Sequence, residues 1–223
     1  MGAKRVALSW SGGKDAAWAL HRLRASPHVE VSALVTTVVT DFNRVAMHGV
    51  RAELVVTQAA AAGVPLVQVP LPWPCQNEEY ERRMVAALAA LRDHHGVTHV
   101  AFGDLFLEDV RAYRERMLAG SGLTPLFPLW LEPTQALVNE MLDSGVQARI
   151  VCLDPKQVDR QLAGRKLDAP LLAGLPDGVD RCGERGEFHT FVTAGPMLSR
   201  PVAVMPGEVV EREGFVYADL VPA

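Results

Sequence analysis

The sequence contains few cysteines, and none of them forms a recognisable pair. Cys75, Cys152 and Cys182 are the only three in 223 residues, and they lie far apart in the chain. A secreted disulfide framework needs more cysteines at closer spacing, and zinc or iron–sulfur sites usually contain C-x-x-C pairs. We therefore expect a protein of the reducing cytoplasm, in which Cys75 and Cys152 pack as small apolar residues.

Long apolar runs and a basic charge excess are also missing. No stretch approaches the roughly 18 consecutive apolar residues of a membrane-spanning helix, so we expect no membrane partner. Nothing before Arg5 has the charged and apolar regions of a secretory signal, and we expect none. The 26 acidic residues outnumber the 22 basic ones, which gives a formal charge of −4. This mild acidity makes nucleic acid an unfavourable partner, because such proteins usually bind through positive charge.

Up to Leu153, short apolar runs alternate with helix-forming stretches. The apolar runs predict strands over Arg5–Ser9, Val29–Thr37, Leu66–Leu71, His99–Phe102 and Gln147–Leu153. The stretches between them predict helices over Asp15–Ala25, Val50–Ala62, Asn77–His95 (with Asn77 as N-cap), Glu108–Ala119 and Pro133–Ser144. Such alternation is typical of a parallel sheet with helices on both faces. The predicted fold class is therefore α/β, with a doubly wound parallel sheet.

The composition changes after Pro155, where glycine and proline become frequent. Short strands are predicted over Val202–Val204, Glu208–Arg212 and Phe215–Leu220, and Gly214 turns the last pair as a hairpin. We therefore expect an α/β domain over residues 1–130 and a smaller α+β substrate-binding region over residues 131–223. We expect the second part to pack over the ligand-binding edge of the first.

A glycine turn follows the first predicted strand and opens the first predicted helix. In the segment Ser9–Asp15, successive backbone N–H groups and the helix N-terminus converge on one point, which favours an anion. Gly12 and Gly13 let the backbone approach a phosphate closely. Ser11 adds a hydroxyl, and Lys14 adds a mobile positive charge. The Walker A pattern does not fit, because it needs glycine at position 8 and serine or threonine at position 15. The alternative is a tight turn whose glycines serve geometry alone.

The segment S-G-G-K-D at residues 11–15 resembles the PP-loop of the N-type ATP pyrophosphatases. That group belongs to the adenine nucleotide alpha-hydrolase superfamily, whose sheet is Rossmann-like and whose members cleave ATP between the α and β phosphates. Many members have serine or threonine after the aspartate, where this chain has Ala16. The resemblance implies that the ATP-binding residues are Ser9, Ser11, Gly12, Gly13, Lys14 and Asp15.

Further segments narrow this resemblance to one family. They are Gly103-Asp104 followed by D-x-R-x-Y-R-E at residues 109–115, P-L-W at 128–130, and C-G-E-R-G-E-F-H-T-F at 182–191. In this order, together with the PP-loop, they resemble the diphthine–ammonia ligase (diphthamide synthase) family over nearly the whole chain. The segment M-H-G-V-R at residues 47–51 is similar to the form in bacterial relatives. In the C-terminal segment, bacterial relatives commonly have proline and asparagine where this chain has Arg181 and Arg185, so the chain departs from their pattern at these two positions.

Several polar residues fall at the edge of the predicted sheet where ligands of open α/β sheets bind. Asp104 follows a strand and could hold Mg²⁺, which prefers carboxylate and phosphate oxygens; a loop or helix-capping carboxylate is the alternative. His48 lies beside the same edge and is a candidate substrate contact. Arg111 and Glu115 are four residues apart, so they could contact substrate or could form a helical ion pair.

The segment Gly183–Thr190 is dense in polar groups. Glu184, Glu187 and His189 lie among glycines, and we expect a mobile loop that folds over the strand ends and completes the acceptor site. Solvated loop carboxylates are the alternative. With the resemblance, the candidate catalytic residues are Lys14, Asp104, Glu184 and Glu187. The candidate substrate contacts are His48, Arg111, Glu115, Gly183, His189 and Thr190.

The resemblance implies an ATP-dependent ligase that adenylates a carboxylate and forms an amide with ammonia, with ATP and Mg²⁺ as cofactors. Its partners would be a small-molecule or protein-borne carboxylate, ammonia and a possible second copy in a homodimer. If the source is bacterial, the acceptor differs from the diphthine that names the family. Two alternatives remain: a nucleotide sensor without turnover, and a tRNA-modifying PP-loop enzyme, which usually has a cysteine pair and a basic surface that this chain lacks.

Overall fold

The computed structural model describes residues 3–223 and contains two sheets. The strands are β1 (Lys4–Ser9), β2 (Val29–Val39), β3 (Arg44–Val45), β4 (Leu66–Leu71), β5 (His99–Ala101), β6 (Thr124–Leu126), β7 (Gln147–Leu153), β8 (Phe188–Ala194), β9 (Val204–Arg212) and β10 (Phe215–Pro222). The helices are α1 (Lys14–Arg24), α2 (Ala52–Ala62), α3 (Asn77–His95), α4 (Glu108–Leu118), α5 (Thr134–Asp143) and α6 (Ala169–Ala173). Among these helices, none is long and apolar enough to cross a membrane.

The first sheet is mostly parallel. Its parallel strands follow the order β4, β2, β1, β5 and β6, and the short β3 pairs antiparallel with the end of β2. The chain moves outward from β1 through β2 to β4, then crosses back to place β5 on the other side of β1. The order therefore reverses between β1 and β5, and this is the point where open α/β sheets bind ligands.

Helices cover both faces of this sheet, as the predicted α/β class requires. On one face, Trp18 of α1, Leu54 of α2 and Leu137 of α5 join one buried cluster. On the other face, Met84 and Leu88 of α3 belong to a second cluster. The doubly wound α/β prediction is confirmed.

The second sheet is smaller and antiparallel, with the order β8, β7, β10 and β9. Its residues Ile150 and Val216 belong to the same buried cluster as Leu8 of β1, so the two sheets share a core. Gly214 turns the β9–β10 hairpin with a φ of +84°, as predicted. The first sheet ends at Leu126 and the second begins at Gln147; the division into residues 1–130 and 131–223 stays a prediction.

Several local predictions need correction. Asn77 is the first residue of α3 rather than its N-cap, which is Gln76. Strand β9 contains the predicted strand Glu208–Arg212 but only the last residue of the strand predicted over Val202–Val204. Strands β3, β6 and β8 and helix α6 were not predicted. Of these, β8 matters most, because its first three residues are the last three of Gly183–Thr190, the segment expected to be a mobile loop.

Candidate functional site

A cleft of about 810 Å³ opens at the carboxyl ends of the central strands. Three segments that are distant in sequence line it: the turn after β1, the turn after β5 and the stretch from Cys182 to Thr190. The end of β2, including Val35 and Thr36, forms a further wall. The cleft is therefore where the sequence motifs meet, and its volume suits a nucleotide-sized ligand.

The glycine turn joins β1 directly to α1. Gly13 is the N-cap of α1 and has no capping side chain of its own, because glycine has none. Ser11 Oγ instead accepts a hydrogen bond from the Gly13 N–H at 3.2 Å. Gly12 has a φ of +82°, which a residue with a side chain rarely adopts. The turn thus has the strand–turn–helix geometry of a phosphate cradle.

Close packing around the turn requires its glycines. A Cβ on Gly13 would lie 3.1 Å from both His48 Cε1 and the Thr190 carbonyl oxygen. A Cβ on Gly103, after β5, would lie 3.0 Å from the backbone N of Ala16 in the first turn of α1. Since both glycines are in contact with neighbouring segments, any side chain there would displace the walls of the cleft.

The C-terminal sheet is hydrogen-bonded to the glycine turn. Thr190 Oγ1 accepts from the Lys14 N–H at 3.1 Å, and so caps α1 from the far end of the sequence. The Val192 N–H donates to the Gly12 carbonyl at 2.9 Å. Gln58 Nε2 donates to the same Gly12 oxygen at 3.0 Å and to the Val192 oxygen at 2.7 Å. Strand β8 therefore fixes the turn from the side, and the predicted contact of Gly183–Thr190 with the strand ends is confirmed.

Gln58 was not found by sequence reasoning. It lies on α2 and is completely buried, although its neighbours in that helix are mostly apolar. A lone glutamine in a mostly apolar helix is the sequence signal that could have identified Gln58, because a buried amide needs hydrogen-bond partners.

Lys14 lines the cleft but is almost completely buried, with 2% of its surface exposed. Its Nζ donates to Asp15 Oδ2 at 2.8 Å and to the Cys182 carbonyl oxygen, and it lies 5.6 Å from the centre of the Phe188 ring. Burial lowers the pKa of Lys14, but the charge of Asp15, its hydrogen bond to Lys14 and the nearby Cys182 and Glu184 together outweigh burial, and the pKa is raised overall. Lys14 is therefore a cation at neutral pH, held at the base of the cleft.

Asp15 and Asp104 are the two aspartates closest to the turn that line the cleft. Burial raises the pKa of Asp15, against the attraction of Lys14, and within residues 3–223 its Oδ1 is buried without a hydrogen-bond partner. Burial also raises the pKa of Asp104, which forms an ion pair with Arg114 at 3.4 Å. Arg114, a cleft residue that sequence reasoning missed, lies over the Phe102 ring and just beyond Arg111 in the same motif.

Glu184 is the carboxylate whose acidity is most useful to chemistry near neutral pH. It lines the cleft, and its Oε1 accepts from the Leu105 N–H at 2.7 Å. Burial raises its pKa to about 7, with further contributions from the charges of Asp15 and Asp104. A carboxyl group that titrates near pH 7 can both accept and release a proton, as a general base requires.

Glu187 has a different position from the one predicted. It is completely buried and does not line the cleft. Its two carboxylate oxygens accept from the N–H groups of Asp180 and Arg185, both at 2.8 Å. These bonds fix the turn before β8, so this stretch is an ordered part of the core rather than a mobile polar loop. The geometry favours a structural role for Glu187.

His48 and His189 pack against each other on the wall of the cleft, with ring centroids 4.5 Å apart and ring planes tilted by 33°. Burial lowers the pKa of His189 to about 4, and burial together with His189 lowers the pKa of His48 well below its usual value. Both rings are therefore neutral at pH 7. The structure brings the two predicted substrate contacts together, beside Gly13.

Arg111 and Glu115 do not line the cleft. They form the helical ion pair that was the alternative interpretation, with Arg111 Nε 2.8 Å from Glu115 Oε1. The Arg111 guanidinium also packs against the neighbouring rings of Phe127 and Trp130, 4.9 and 4.8 Å from their centres.

We expect Glu115→Ala to leave nucleotide affinity and turnover unchanged, because the pair is exposed and such pairs contribute little, about 0.3–0.5 kcal/mol. Calorimetry with ATP and a turnover assay would measure this. A tenfold loss in either would show that the pair contacts a ligand after all.

Cys182 is buried, and its Sγ donates weakly to the Thr134 carbonyl oxygen at 3.4 Å. Burial raises the pKa of its thiol, so the reactive thiolate is scarce at neutral pH. These features disfavour sulfur transfer at this cysteine.

The doubly wound sheet, the glycine turn at its switch point and the strand that closes over the turn define an α/β protein of the PP-loop type. The chain matches family models of the diphthamide synthase N-terminal domain over residues 4–125 and of the diphthamide synthase C-terminal domain over residues 133–219. The chain belongs to the diphthamide synthase family.

Curated relatives agree with this assignment. The diphthine–ammonia ligase of Bos taurus is 30% identical over 158 residues, which cover 67% of this chain and 57% of the bovine protein. The protein of the same name from Homo sapiens is 30% identical over 153 residues, or 65% of this chain and 55% of the human protein. The Rattus norvegicus protein is 24% identical over 237 residues, covering 96% of this chain and 88% of its own. The alignments thus span little more than half of the bovine and human proteins.

Proposed function

We propose that this chain is an ATP-dependent ligase that adenylates a carboxylate and joins it to ammonia. The carboxylate oxygen attacks the α-phosphorus of ATP and pyrophosphate leaves; ammonia then attacks the carbonyl carbon, AMP leaves and a proton is released. The proposal rests on membership of the diphthamide synthase family and on the names of its relatives, which are diphthine–ammonia ligases. The observation that carries it is the convergence of the glycine turn, Asp104 and Glu184 on one cleft.

The residues of the turn fit a nucleotide. Gly12 and Gly13 let the backbone of the turn pack closely against its neighbours, where a Cβ would crowd Gln58, His48 and the Thr190 carbonyl oxygen, and Lys14 supplies the buried positive charge. In the proposed complex the phosphates lie on Ser9–Asp15 and the adenine lies near Val35–Thr37, which form the adjoining wall of the cleft. Preorganised donors of this kind stabilise the charge that develops on a leaving pyrophosphate.

Magnesium fits the same position through carboxylates. Residues 3–223 contain no cluster of three or more His, Cys, Asp or Glu side chains that could hold a metal alone. Mg²⁺ is commonly bound by only one or two carboxylates together with phosphate oxygens. Asp104 and the unpartnered Oδ1 of Asp15 would supply these, and the ion would neutralise phosphate charge.

The acceptor side of the reaction is assigned to Glu184 and to the contacting pair His48 and His189. Glu184 would take the proton that ammonium or the tetrahedral adduct must lose. The neutral imidazoles would position the acceptor beside Gly13 without repelling a cationic amine.

We expect AMP and pyrophosphate as the products when ATP is incubated with a competent acceptor and ammonia, because the resemblance to the PP-loop enzymes implies cleavage between the α and β phosphates. Ion-exchange chromatography separates these products from ADP and phosphate. ADP and free phosphate would contradict the proposed reaction. ATP binding without any turnover, with all acceptors tested, would instead support a nucleotide sensor.

A further inference from the structure

A second cavity of about 450 Å³ adjoins the nucleotide cleft. It lies between the turn after β2 and the outer face of the β9–β10 hairpin, and we call it the side cavity. Its apolar lining includes Phe42, Met47, Trp73, Val210 and Tyr217. The volume falls within the range of about 300–1,000 Å³ that is typical of small-molecule sites. None of the candidate site residues derived from the sequence lines it.

The charges around the side cavity are compensated. Asp219 accepts from Arg44 at 2.7 Å and from Arg51 at 2.7 Å, so two guanidinium groups share one carboxylate. Arg212, Glu208 and Glu213 also line the side cavity, so three arginines (Arg44, Arg51 and Arg212) face three carboxylates (Asp219, Glu208 and Glu213). The formal charges around the cavity therefore cancel, and its mostly apolar lining suits an uncharged, apolar body.

The apolar mouth of the side cavity is exposed to solvent. Phe42 and Trp73 pack edge to face, with ring centroids 5.8 Å apart, and remain 47% and 48% exposed. Met47 is 72% exposed and has a φ of +66°, an unfavourable conformation for a methionine. Exposed aromatic and thioether side chains around a concave site are typical of a surface that binds an apolar ligand.

The side cavity and the nucleotide cleft share a wall. Val45, Ala46 and Met47 line both, and so does Trp73. The next residue, His48, lines the cleft and packs against Gly13 of the glycine turn. A ligand that fills the side cavity would therefore lie against residues that also bound the nucleotide cleft, one residue away from His48.

We propose that the side cavity binds the apolar body of a small, free carboxylic acid whose carboxyl group extends into the nucleotide cleft. This inference rests on the proposed function, which requires a carboxylate beside the PP-loop, and it gives the acceptor a chemical class. The acid is monofunctional and hydrophobic, because most of the cavity lining is apolar and the charged side chains around it have no net formal charge that would favour a second ionised group.

A series of straight-chain carboxylates from propanoate to octanoate tests the proposal by calorimetry on the full chain, first without ATP. We expect the affinity to rise about fourfold for each added methylene until the cavity is filled, the scale of burying one CH₂ group. Val210→Glu places a charge in the cavity and should abolish this dependence on chain length. Val209→Glu is the matched control, because its side chain lies on the opposite face of β9 and is 54% exposed.

ATP affinity, measured separately on each variant, distinguishes the two proposals. ATP binding together with affinities that do not change with chain length would overturn the side-cavity inference and leave the proposed function intact. Graded binding of the acids without ATP binding would support the side-cavity proposal and contradict the proposed ligase function.

With ATP present, the acids should stimulate pyrophosphate release in the order of their affinities. Graded binding without stimulation would overturn the assignment of these acids as acceptors. A dimer that Phe42→Ala dissociates, with no acid binding, would show that a second copy covers the cavity and would also overturn the inference.

Discussion

Glu184→Gln is expected to lower acceptor-dependent pyrophosphate release about a hundredfold, the scale of losing a general base. The variant keeps an oxygen that can accept from the Leu105 N–H, so the local structure should persist. It loses the group whose pKa is raised to about 7 by burial and by neighbouring carboxylates. In the wild type, the rate should rise as pH passes through 7, because only the deprotonated carboxylate can accept a proton. Glu184→Gln should lose that dependence while ATP affinity stays within twofold, about 0.4 kcal/mol.

Glu187→Gln is the matched control for this prediction. Both oxygens of Glu187 accept from backbone N–H groups, and a glutamine would turn an NH₂ group toward one of them. The resulting unsatisfied donors should cost about 1–3 kcal/mol, measured as a lower midpoint of thermal unfolding. The pH dependence of the remaining activity should stay unchanged. The roles assigned here would be contradicted if Glu187→Gln removed the pH dependence and Glu184→Gln did not.

Gly13→Val and Lys14→Met are expected to weaken ATP binding by about a hundredfold or more, the scale of losing one preorganised charge contact. A valine at position 13 would collide with His48 and with the Thr190 carbonyl oxygen, which lie 3.1 Å from the Cβ position. Methionine at position 14 keeps the apolar stem against Phe188 but removes the charge. Calorimetry with ATP measures both effects.

Two controls match these substitutions. Gly178→Val tests the same residue change at a position where no atom lies within 4 Å of the added Cβ, and Lys156→Met removes an exposed lysine. Neither should alter ATP affinity. If Gly13→Val and Lys14→Met bound ATP as tightly as these controls while remaining folded, the phosphates would have to lie elsewhere.

The regular elements of the first sheet were predictable because local chemistry marks their ends. Gly63 and Gly96 end α2 and α3 with φ values of +66° and +65°, and Gly145 follows α5 at +84°. Strands β3 and β6, which have two and three residues, were missed because they are too short for any alternation to show. Their pairing depends on neighbours that are distant in sequence.

The candidate site was only partly predictable from sequence. Motif spacing placed the glycine turn, Asp104 and Glu184 at one edge, and the structure brings them into one cleft. Composition failed for Glu187, because a polar, glycine-rich stretch looks the same whether its carboxylate faces solvent or binds backbone N–H groups. Composition also failed to identify Gln58 as part of the site, because its hydrogen-bond partners, Gly12 and Val192, come from two other parts of the chain.

The threonine that caps α1 has a consequence for the order in which the protein becomes competent. Thr190 follows Lys14 by 176 residues, so a growing chain that has already formed β1 and α1 still lacks the acceptor for the Lys14 N–H. Contacts across such long sequence separations form late, because the entropy of closing the loop must be overcome first. The glycine turn therefore reaches its final geometry only when β8 has packed against it. Binding of a phosphate group to the turn would then indicate that the C-terminal sheet is in place. A ribosome-bound chain that does not yet include β8 would contain the S-G-G-K-D segment but would lack the complete phosphate site.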